Sequence, residues 1–132
     1  NVTMLPAISK AEIPALLKYF DVAYIGWKLN SLYRFGISPN KLIDYMMAGR
    51  PILHAVCAGN DPVVESNCGI TVRPDDENDI HTGLINILKM TSEQRVLMGE
   101  NGRHYVLSKR TYPVLAKSFV DVMKGIQNVN TK

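Results

Sequence analysis

The chain has 132 residues and a formal net charge of +3, and its length corresponds to about one domain. Hydrophobic residues make up 46% of the chain and charged residues 20%, which indicates a globular protein that can bury a core. No window of the sequence approaches the roughly 18 consecutive apolar residues of a membrane-spanning helix, and the first residues lack the pattern of a signal peptide.

The first 25 residues predict a strand, a helix and a second strand. Residues 2–5 are a short β-like run, and Ser9 with Glu12 has the spacing of a capping box at a helix start. The apolar residues that follow recur at helical spacing, and they are Ile13, Leu16, Leu17 and Phe20. Residues 22–25 then form the second strand. This order is typical of a βαβ unit, which has a right-handed crossover in a parallel sheet.

A long irregular segment, residues 26–37, follows the carboxyl end of that second strand, where open α/β sheets bind ligands. Trp27, Tyr33, Arg34 and Phe35 make the segment aromatic and basic. Such a loop can stack on a base or on a sugar ring. Equally, Trp27 and Phe35 can serve only to hold the loop against the domain, and both interpretations stay open at this point.

The next stretch contains the signals for a helix start, a helix stop and a strand start. Ser38 is a favourable N-cap, and Pro39 suits the first helical position, where no N–H is needed. Gly49 supplies the permissive residue just past the helix end. Residues 51–56 are short and apolar enough for a buried strand.

The start of this helix has the features of an anion site. Its first-turn N–H groups lack partners within the helix and lie at the positive end of the helix dipole, which favours a phosphate. Lys41 adds a positive charge, and Asp44, one turn further on, can accept hydrogen bonds from hydroxyl groups. A phosphate beside a diol indicates a nucleotide. The alternative is an ordinary capped helix with solvated Lys41 and Asp44, and residues 38–41 alone favour that alternative.

One further strand is predicted in the second half of the chain. Asp61 and Pro62 begin a short helix over residues 63–67, and Gly69 ends it. Residues 70–73 form the fourth strand.

Three helices are predicted after that strand. Asp79 and Ile80 open the first, Thr91 with Gln94 caps the second, and residues 111–113 start the third. Their inward faces are predicted to be Ile80, Leu84, Ile87 and Leu88 in the first, Val96, Leu97 and Tyr105 in the second, and Leu115, Phe119, Val122, Met123 and Ile126 in the third.

Cysteine, histidine and charge patterns exclude several classes of site. Cys57 and Cys68 lack metal-ligand spacing and favour reduced, buried thiols in a cytoplasmic protein. The histidines share no such spacing either, and His54, in an apolar strand, is expected to be a satisfied core residue, so no metal site is predicted. A Ser/His/Asp arrangement, a Walker loop and Gly-x-Gly-x-x-Gly are all absent from the sequence, which removes support for hydrolase and P-loop functions.

The charges are distributed unevenly. Residues 89–132 carry eight Lys or Arg against three acids, a balance that suits an anionic membrane surface or nucleic acid. Because these charges are scattered at helical spacing, a solvated face is the favoured interpretation. We expect no nucleic-acid partner, whereas peripheral contact with a membrane stays open.

Residues 38–53 read Ser-Pro-Asn-Lys-Leu-Ile-Asp-Tyr-Met-Met-Ala-Gly-Arg-Pro-Ile-Leu. They resemble the nucleotide-sugar loop of retaining GT-B glycosyltransferases of the glycosyltransferase 4 type, in particular the branch that builds bacterial surface polysaccharides. The likeness continues through residues 67–72 and 75–79 and so spans most of the chain. It implies an α/β fold with a partial Rossmann-like parallel sheet of about four strands and helices on both faces. The helical C-terminal tail would close the second GT-B domain and cross back towards the first.

The resemblance also implies roles for individual residues. It assigns the donor diphosphate to Ser38, Asn40 and Lys41, the ribose to Asp44, and the rest of the donor loop to Gly36, Ile37 and Pro39. The family has two glutamates separated by seven residues. The second position falls on Asp44, which keeps a carboxylate, whereas the first falls on Gly36, which has none. The catalytic residue stays unidentified.

By the family pattern, residues 1–132 begin near the third strand of the second domain and lack the N-terminal acceptor domain. Because Asn1 rather than Met opens the chain, we expect it to be part of a longer protein and to have little activity alone. Residues 2–5 would then lack their usual neighbours. We expect them either to pair with another protomer, as an edge-paired or strand-exchanged dimer, or to refold against residues 22–25.

The function implied by the resemblance is sugar transfer from a nucleoside-diphosphate sugar, preferably a UDP-sugar, to a glycan or polyprenyl-linked acceptor. The expected location is the cytoplasm, with peripheral contact at the inner face of the membrane, and no cofactor is expected. Two alternatives stay open. One is a GT-B nucleotide-sugar epimerase, and the other is a non-catalytic nucleotide-sugar-binding or docking domain, which the glycine at position 36 favours.

Overall fold

The computed structural model describes residues 2–129 of the chain. Three short parallel strands form one sheet in sequence order, and they are β1 (Ala23–Gly26), β2 (Ile52–Ala55) and β3 (Gly69–Val72). Ile52 lies between Ala23 and Gly69 in the register of the sheet. The α/β class and the parallel sheet are therefore confirmed.

Six α-helices and one 3₁₀ helix accompany the sheet within the described residues. In chain order they are α1 (Ile13–Leu17), the 3₁₀ helix (Ser31–Phe35), α2 (Asn40–Met47), α3 (Pro62–Ser66), α4 (Glu77–Leu88), α5 (Ser92–Lys109) and α6 (Tyr112–Val129). The predicted helical tail after the last strand is thus confirmed. None of the described helices is both long and apolar enough to cross a membrane.

Helices cover both faces of the sheet. Successive side chains of β2 alternate between the faces, so Ile52 and Leu53 belong to two separate clusters of buried residues. The first cluster includes Leu42 and Met46 of α2, Val63 of α3, Cys68, and Tyr105 and Val106 of α5. In the second, Ile87 of α4 packs with Leu53, Ala55 and Val72. Fully burying a side chain of this size contributes about 1.5–3 kcal/mol, so these two layers hold the strands in place.

Helix α5 approaches the rest of the domain through glycines. A Cβ at Gly99 would overlap the carbonyl oxygen of Gly49, and a Cβ at Gly102 would lie 2.9 Å from the Cβ of Cys68. Gly49 has φ +68° and ends α2 in the left-handed region, as predicted. Because α5 makes its contacts with these small residues, it lies directly on the end of α2.

Residues 2–5 do not form the predicted strand. They have no regular secondary structure, and Val2, Met4 and Leu5 are exposed. Refolding against residues 22–25 is wrong, because within the described residues β1 pairs with β2 alone. In a doubly wound sheet, the two strands that are consecutive in sequence across the switch in strand order are not neighbours, so a segment at residues 2–5 is not expected to pair with β1. The sheet therefore has three strands rather than about four, and pairing with a second protomer stays a prediction.

Several helix ends differ from the predictions. Helix α4 begins at Glu77 rather than at Asp79, and its cap is Asp76, whose carboxylate accepts a hydrogen bond from the Asp79 N–H at 3.0 Å. Asn67, with φ +52°, ends α3. Gly69 instead begins β3, where a Cβ would overlap the carbonyl oxygen of Ile52.

Other caps agree with the sequence. The carboxylate of Asp61 caps α3, and Thr91 with Gln94 forms a full capping box at α5. At α1 the predicted capping box is wrong, because the helix begins at Ile13 after Glu12 and, among the described residues, no side chain caps it. The Glu12 carboxylate accepts from the Ser9 N–H at 2.9 Å and from its hydroxyl at 2.7 Å.

The predicted inward faces are correct in part. Ile87 and Tyr105 are buried, but Leu88 at the end of α4 is exposed. Val96 and Leu97 are also exposed, because α5 turns its glycines inward instead. The predicted face of α6 is also exposed, and its members are Leu115, Phe119, Val122 and Met123. The side chain of Ile126 lies outside the described residues.

Candidate functional site

The long loop after β1 lies across the carboxyl ends of the strands. The Leu29 N–H donates to Oδ2 of Asp75 at 3.1 Å, and the Gly59 N–H donates to the carbonyl oxygen of Tyr33 at 2.8 Å. Gly59 follows β2 and Asp75 follows β3, so the loop that leaves β1 is tied to the segments beyond both other strands. This edge is where open α/β sheets bind ligands.

The aromatic residues of the loop have two different roles. Trp27 packs against the core, and its ring centroid lies 5.2 Å from that of Tyr33. Phe35 is 76% exposed, and the guanidinium carbon of Arg34 lies 4.6 Å from its ring centroid. Trp27 therefore holds the loop on the domain, whereas Arg34 and Phe35 present a cationic and aromatic surface that can stack on a ring.

The predicted donor-loop residues Gly36 and Ile37 are held by Asn60. Oδ1 of Asn60 accepts from the Ile37 N–H at 2.6 Å, and its Nδ2 donates to the Ile37 carbonyl oxygen at 3.0 Å. Gly36 has φ +103° and ψ 163°, a conformation that only glycine adopts without strain. Sequence reasoning missed Asn60, because its partner is 23 residues away and no local pattern marks the contact.

The start of α2 differs from the prediction by one residue. Pro39 is the N-cap rather than the first helical residue, so the predicted capping role of Ser38 is wrong. The reason is an early hydrogen bond from the Leu42 N–H to the carbonyl oxygen of Pro39, at 3.1 Å, which starts the helix at Asn40. No described side chain caps this helix, and its first-turn N–H groups carry the partial positive charge of the dipole.

The predicted ligand-binding side chains all lie on the surface of this helix start. Ser38, Asn40, Lys41 and Asp44 are exposed. Asp44 also lines a cavity of about 300 Å³ between α1, α2 and α5, together with Lys18 and Arg103. The uncapped first turn and the exposed Asp44 carboxylate therefore lie on neighbouring turns of one helix.

A buried polar cluster lies beneath the same edge. Nδ1 of His54 is 3.3 Å from Oδ1 of Asp61 and 3.3 Å from Oγ1 of Thr71, and the Thr71 hydroxyl donates to Oδ2 of Asp61 at 2.6 Å. Burial raises the pKa of Asp61, but hydrogen bonds from His54, Thr71 and the Val64 N–H outweigh it, so the pKa is lowered overall. Nε2 of His54 is buried without a partner, so the expectation of a satisfied core histidine holds for one ring nitrogen only.

The two cysteines differ in environment. Cys68 is buried, and burial raises the pKa of its thiol. Cys57 is exposed at the rim of a cavity of about 360 Å³, so the prediction of two buried thiols is wrong for this residue. Both thiols are unpaired. Within the described residues, no three His, Cys, Asp or Glu side chains come together as a metal-binding group.

Comparison with known proteins identifies the fold. The chain is similar to the solved structure of sucrose-phosphate synthase from Thermosynechococcus elongatus, with a TM-score of 0.69 and 17% sequence identity. The superposition covers 96% of this chain and 30% of that one, so the chain spans less than a third of that protein's length. No protein-family model matches the chain, and no curated protein matches its sequence. The fold is thus similar to a fragment of a GT-B glycosyltransferase, and this level of identity shows the fold alone.

Proposed function

We propose that the chain supplies the nucleotide-sugar donor site of a retaining glycosyltransferase of the glycosyltransferase 4 type, in the branch that builds bacterial surface polysaccharides. The observation that carries the proposal is the placement of the loop and the uncapped start of α2 at the carboxyl edge of a GT-B-like sheet. Residues 38–53, which carry the resemblance, begin at that place and run through α2 to the start of β2. The donor is a nucleoside-diphosphate sugar, and UDP is preferred by resemblance alone.

In this proposal the diphosphate lies against the first turn of α2. The N–H groups of Asn40 and Lys41 and the Lys41 ammonium group balance its negative charge, with Ser38 beside them. The Asp44 carboxylate, one turn along the same helix, accepts hydrogen bonds from the ribose hydroxyls. Negative charge that develops on the leaving diphosphate is stabilised by the same dipole and cation, so no nucleophile is required from this part of the enzyme.

The acceptor and the missing domain belong to the same proposal. An N-terminal domain would bind a glycan or polyprenyl-linked acceptor and form the other wall of the cleft. The exposed apolar side chains of α6, among them Phe119 and Val122, fit the expectation that this helix crosses back to that domain. The proposed location is the cytoplasm, with peripheral contact at the membrane.

A second candidate is a non-catalytic domain that binds a nucleotide sugar. The observation that favours it is the backbone of Gly36, whose positive φ excludes the carboxylate that the family has at this position. The two candidates share the nucleotide site and differ in turnover. Transfer of sugar to an added acceptor by the protein that contains this chain would exclude the second candidate.

Titration of the 132-residue chain with UDP, GDP and ADP tests the shared nucleotide site, with backbone amide NMR shifts as the readout. We expect localised shifts from Gly36 to Asp44 and the tightest binding for UDP. Asp44→Asn is expected to raise the Kd about tenfold, because a charge-assisted hydrogen bond contributes about 1.5–3 kcal/mol and the amide keeps part of it. Asp121→Asn, on the exposed face of α6, is the control and should bind like the unmodified chain.

Two results would contradict the proposal. Shifts that are spread over the whole domain, or that are absent with all three nucleotides, would exclude a nucleotide site in this chain. An unchanged Kd in Asp44→Asn would remove the ribose assignment but leave the diphosphate site in place.

A further inference from the structure

The side chain of Asn60 contacts both polar groups of one peptide residue in the donor loop. Its Oδ1 accepts from the Ile37 N–H at 2.6 Å, and its Nδ2 donates to the Ile37 carbonyl oxygen at 3.0 Å. These two hydrogen bonds are partly buried. A primary amide that binds a residue in this way reproduces the pairing of a β-ladder, and it fixes the orientation of that residue about the chain.

The backbone on both sides is shaped to allow this contact. Gly36 has φ +103°, and a Cβ there would lie 3.1 Å from Oδ1 of Asn60. A Cβ at Gly59 would overlap the carbonyl oxygen of Arg34, and the Gly59 N–H donates to Tyr33 at 2.8 Å. Two glycines therefore bring the loop after β2 against the loop after β1, and Asn60 closes the contact.

The position of Ile37 determines where α2 begins. Two residues, Ser38 and Pro39, separate it from the first helical residue, and Pro39 has a fixed φ. Because no described side chain caps the first turn, the direction of its N–H groups is set by the loop that leads into it. Among the described residues, the hydrogen bonds to Ile37 are the last side-chain hydrogen bonds to the loop before that turn.

We propose that Asn60 is a positioning residue for the nucleotide diphosphate, and that it acts through Ile37 to aim the first turn of α2 without touching the ligand. This inference rests on the proposed function, because it concerns the same site. Loss of the side chain leaves the phosphate-binding groups in the chain but releases the peptide that orients them. The affinity for the diphosphate then falls, because the loop and the first turn of α2 must become ordered when the ligand binds, and this ordering costs free energy.

The test compares three variants of the 132-residue chain. Asn60→Ala removes both hydrogen bonds, and Asn60→Asp keeps the acceptor for the Ile37 N–H but loses the donor to the Ile37 carbonyl oxygen. Asn101→Ala is the matched control, because Asn101 also donates to a backbone carbonyl, that of Asn67 at 3.3 Å, but lies far along the chain on α5. Hydrogen exchange of the Ile37 amide and the Kd for UDP are measured in each.

In Asn60→Ala we expect the Ile37 amide to exchange about tenfold faster and the Kd for UDP to rise about tenfold, the effect of losing roughly one net hydrogen bond. In Asn60→Asp the Ile37 amide should remain protected while the Kd still rises, because a carboxylate oxygen in place of Nδ2 is repelled by the Ile37 carbonyl oxygen. Asn101→Ala should change neither quantity. This pattern distinguishes positioning of the loop from a general loss of stability. A general loss of stability would raise hydrogen exchange at many amides, in Asn101→Ala as well as in Asn60→Ala.

Each other outcome overturns the inference. Equal UDP binding by Asn60→Ala and the unmodified chain would overturn it and leave the proposed function intact. An equal loss of UDP binding in Asn101→Ala would show that the loss in Asn60→Ala reflects lower stability rather than positioning. If the unmodified chain binds no nucleotide, the proposed function and this inference fail together. If Asn60→Ala does not fold, Asn60→Asp decides, because unchanged UDP affinity in that variant excludes a role for the donated hydrogen bond.

Discussion

Asp61 is predicted to be a main polar support of the carboxyl edge of the sheet. Its Oδ1 accepts from the Val63 and Val64 N–H groups at 3.0 and 3.2 Å and so caps α3. Its Oδ2 accepts from the Thr71 hydroxyl at 2.6 Å, and His54 lies 3.3 Å from the same carboxylate. One side chain thus joins β2, α3 and β3.

Asp61→Ala is expected to lower the free energy of unfolding by about 2–3 kcal/mol. Loss of an N-cap contributes about 1 kcal/mol. Loss of the acceptor for the partly buried Thr71 hydroxyl and the buried His54 ring contributes about a further 1–2 kcal/mol. Chemical denaturation at pH 7 measures the change, which corresponds to roughly 10 °C in Tm for a domain of this size. Asp61→Asn keeps one oxygen that can accept a hydrogen bond at the start of α3, so it should lower the free energy of unfolding by about half as much.

The effect should depend on pH in a definite direction. Because the folded-state pKa of Asp61 is lowered, its charged form adds stability that is fully present above the unfolded-state pKa. This contribution is lost as the pH falls through the folded-state pKa, where the carboxyl group becomes protonated in both states. The difference between the unmodified chain and Asp61→Ala should therefore shrink in strong acid.

The control is Asp121→Ala, which removes an exposed carboxylate whose ion pair with Lys117, at 3.2 Å, lies on the surface of α6. Such a pair contributes about 0.2–1 kcal/mol. A loss in Asp61→Ala no larger than in this control, or a difference that stays constant down to strong acid, would refute the reasoning.

Two further substitutions test the packing of α5. Gly99→Ala should destabilise by about 1–3 kcal/mol, because the new Cβ overlaps the Gly49 carbonyl oxygen, whereas Gly125→Ala, with no atom within 4 Å, should stabilise through helix propensity. Equal denaturation midpoints for Gly99→Ala and Gly125→Ala would contradict the close contact between Gly99 and the Gly49 carbonyl oxygen. Tyr105→Phe should cost about 1 kcal/mol, because the buried hydroxyl donates to Glu65 at 2.8 Å and accepts from Arg110 at 3.1 Å, and Tyr112→Phe, at an exposed position, should be neutral. Thermal melts that show the same loss for both tyrosines would exclude the Glu65 and Arg110 contacts as its cause.

The elements that could be predicted are those whose signals are local. The strands at residues 51–56 and 70–73 follow from short apolar runs, and the caps at Asp61 and Thr91 follow from residue type and spacing. Local signals fail where two residues compete for one role. The first turn of α4 contains two acids, and the helix begins two residues before the predicted Asp79 because Asp76 caps it.

The features that could not be predicted depend on contacts between distant residues. Val96 and Leu97 have helical spacing, but the glycines of α5 fit against α2 and leave them exposed. The contact between Asn60 and Ile37 and the cluster at His54 likewise join different loops and strands. Residue type and spacing along one element carry no information on such pairs. A candidate site could therefore be proposed from its sequence pattern, while the contacts that support it could not.

Gly36 shows why the absent carboxylate cannot be restored by a simple exchange. With φ +103° and ψ 163°, any other residue would be strained by about 1–3 kcal/mol, and its Cβ would press on Oδ1 of Asn60. The acids at the same edge already have partners, since Asp61 holds Thr71, Asp75 holds the Leu29 N–H, and Asp79 holds the Arg73 N–H. Gly36→Glu would strain the loop and press on Asn60, so it is expected to weaken nucleotide binding rather than add activity.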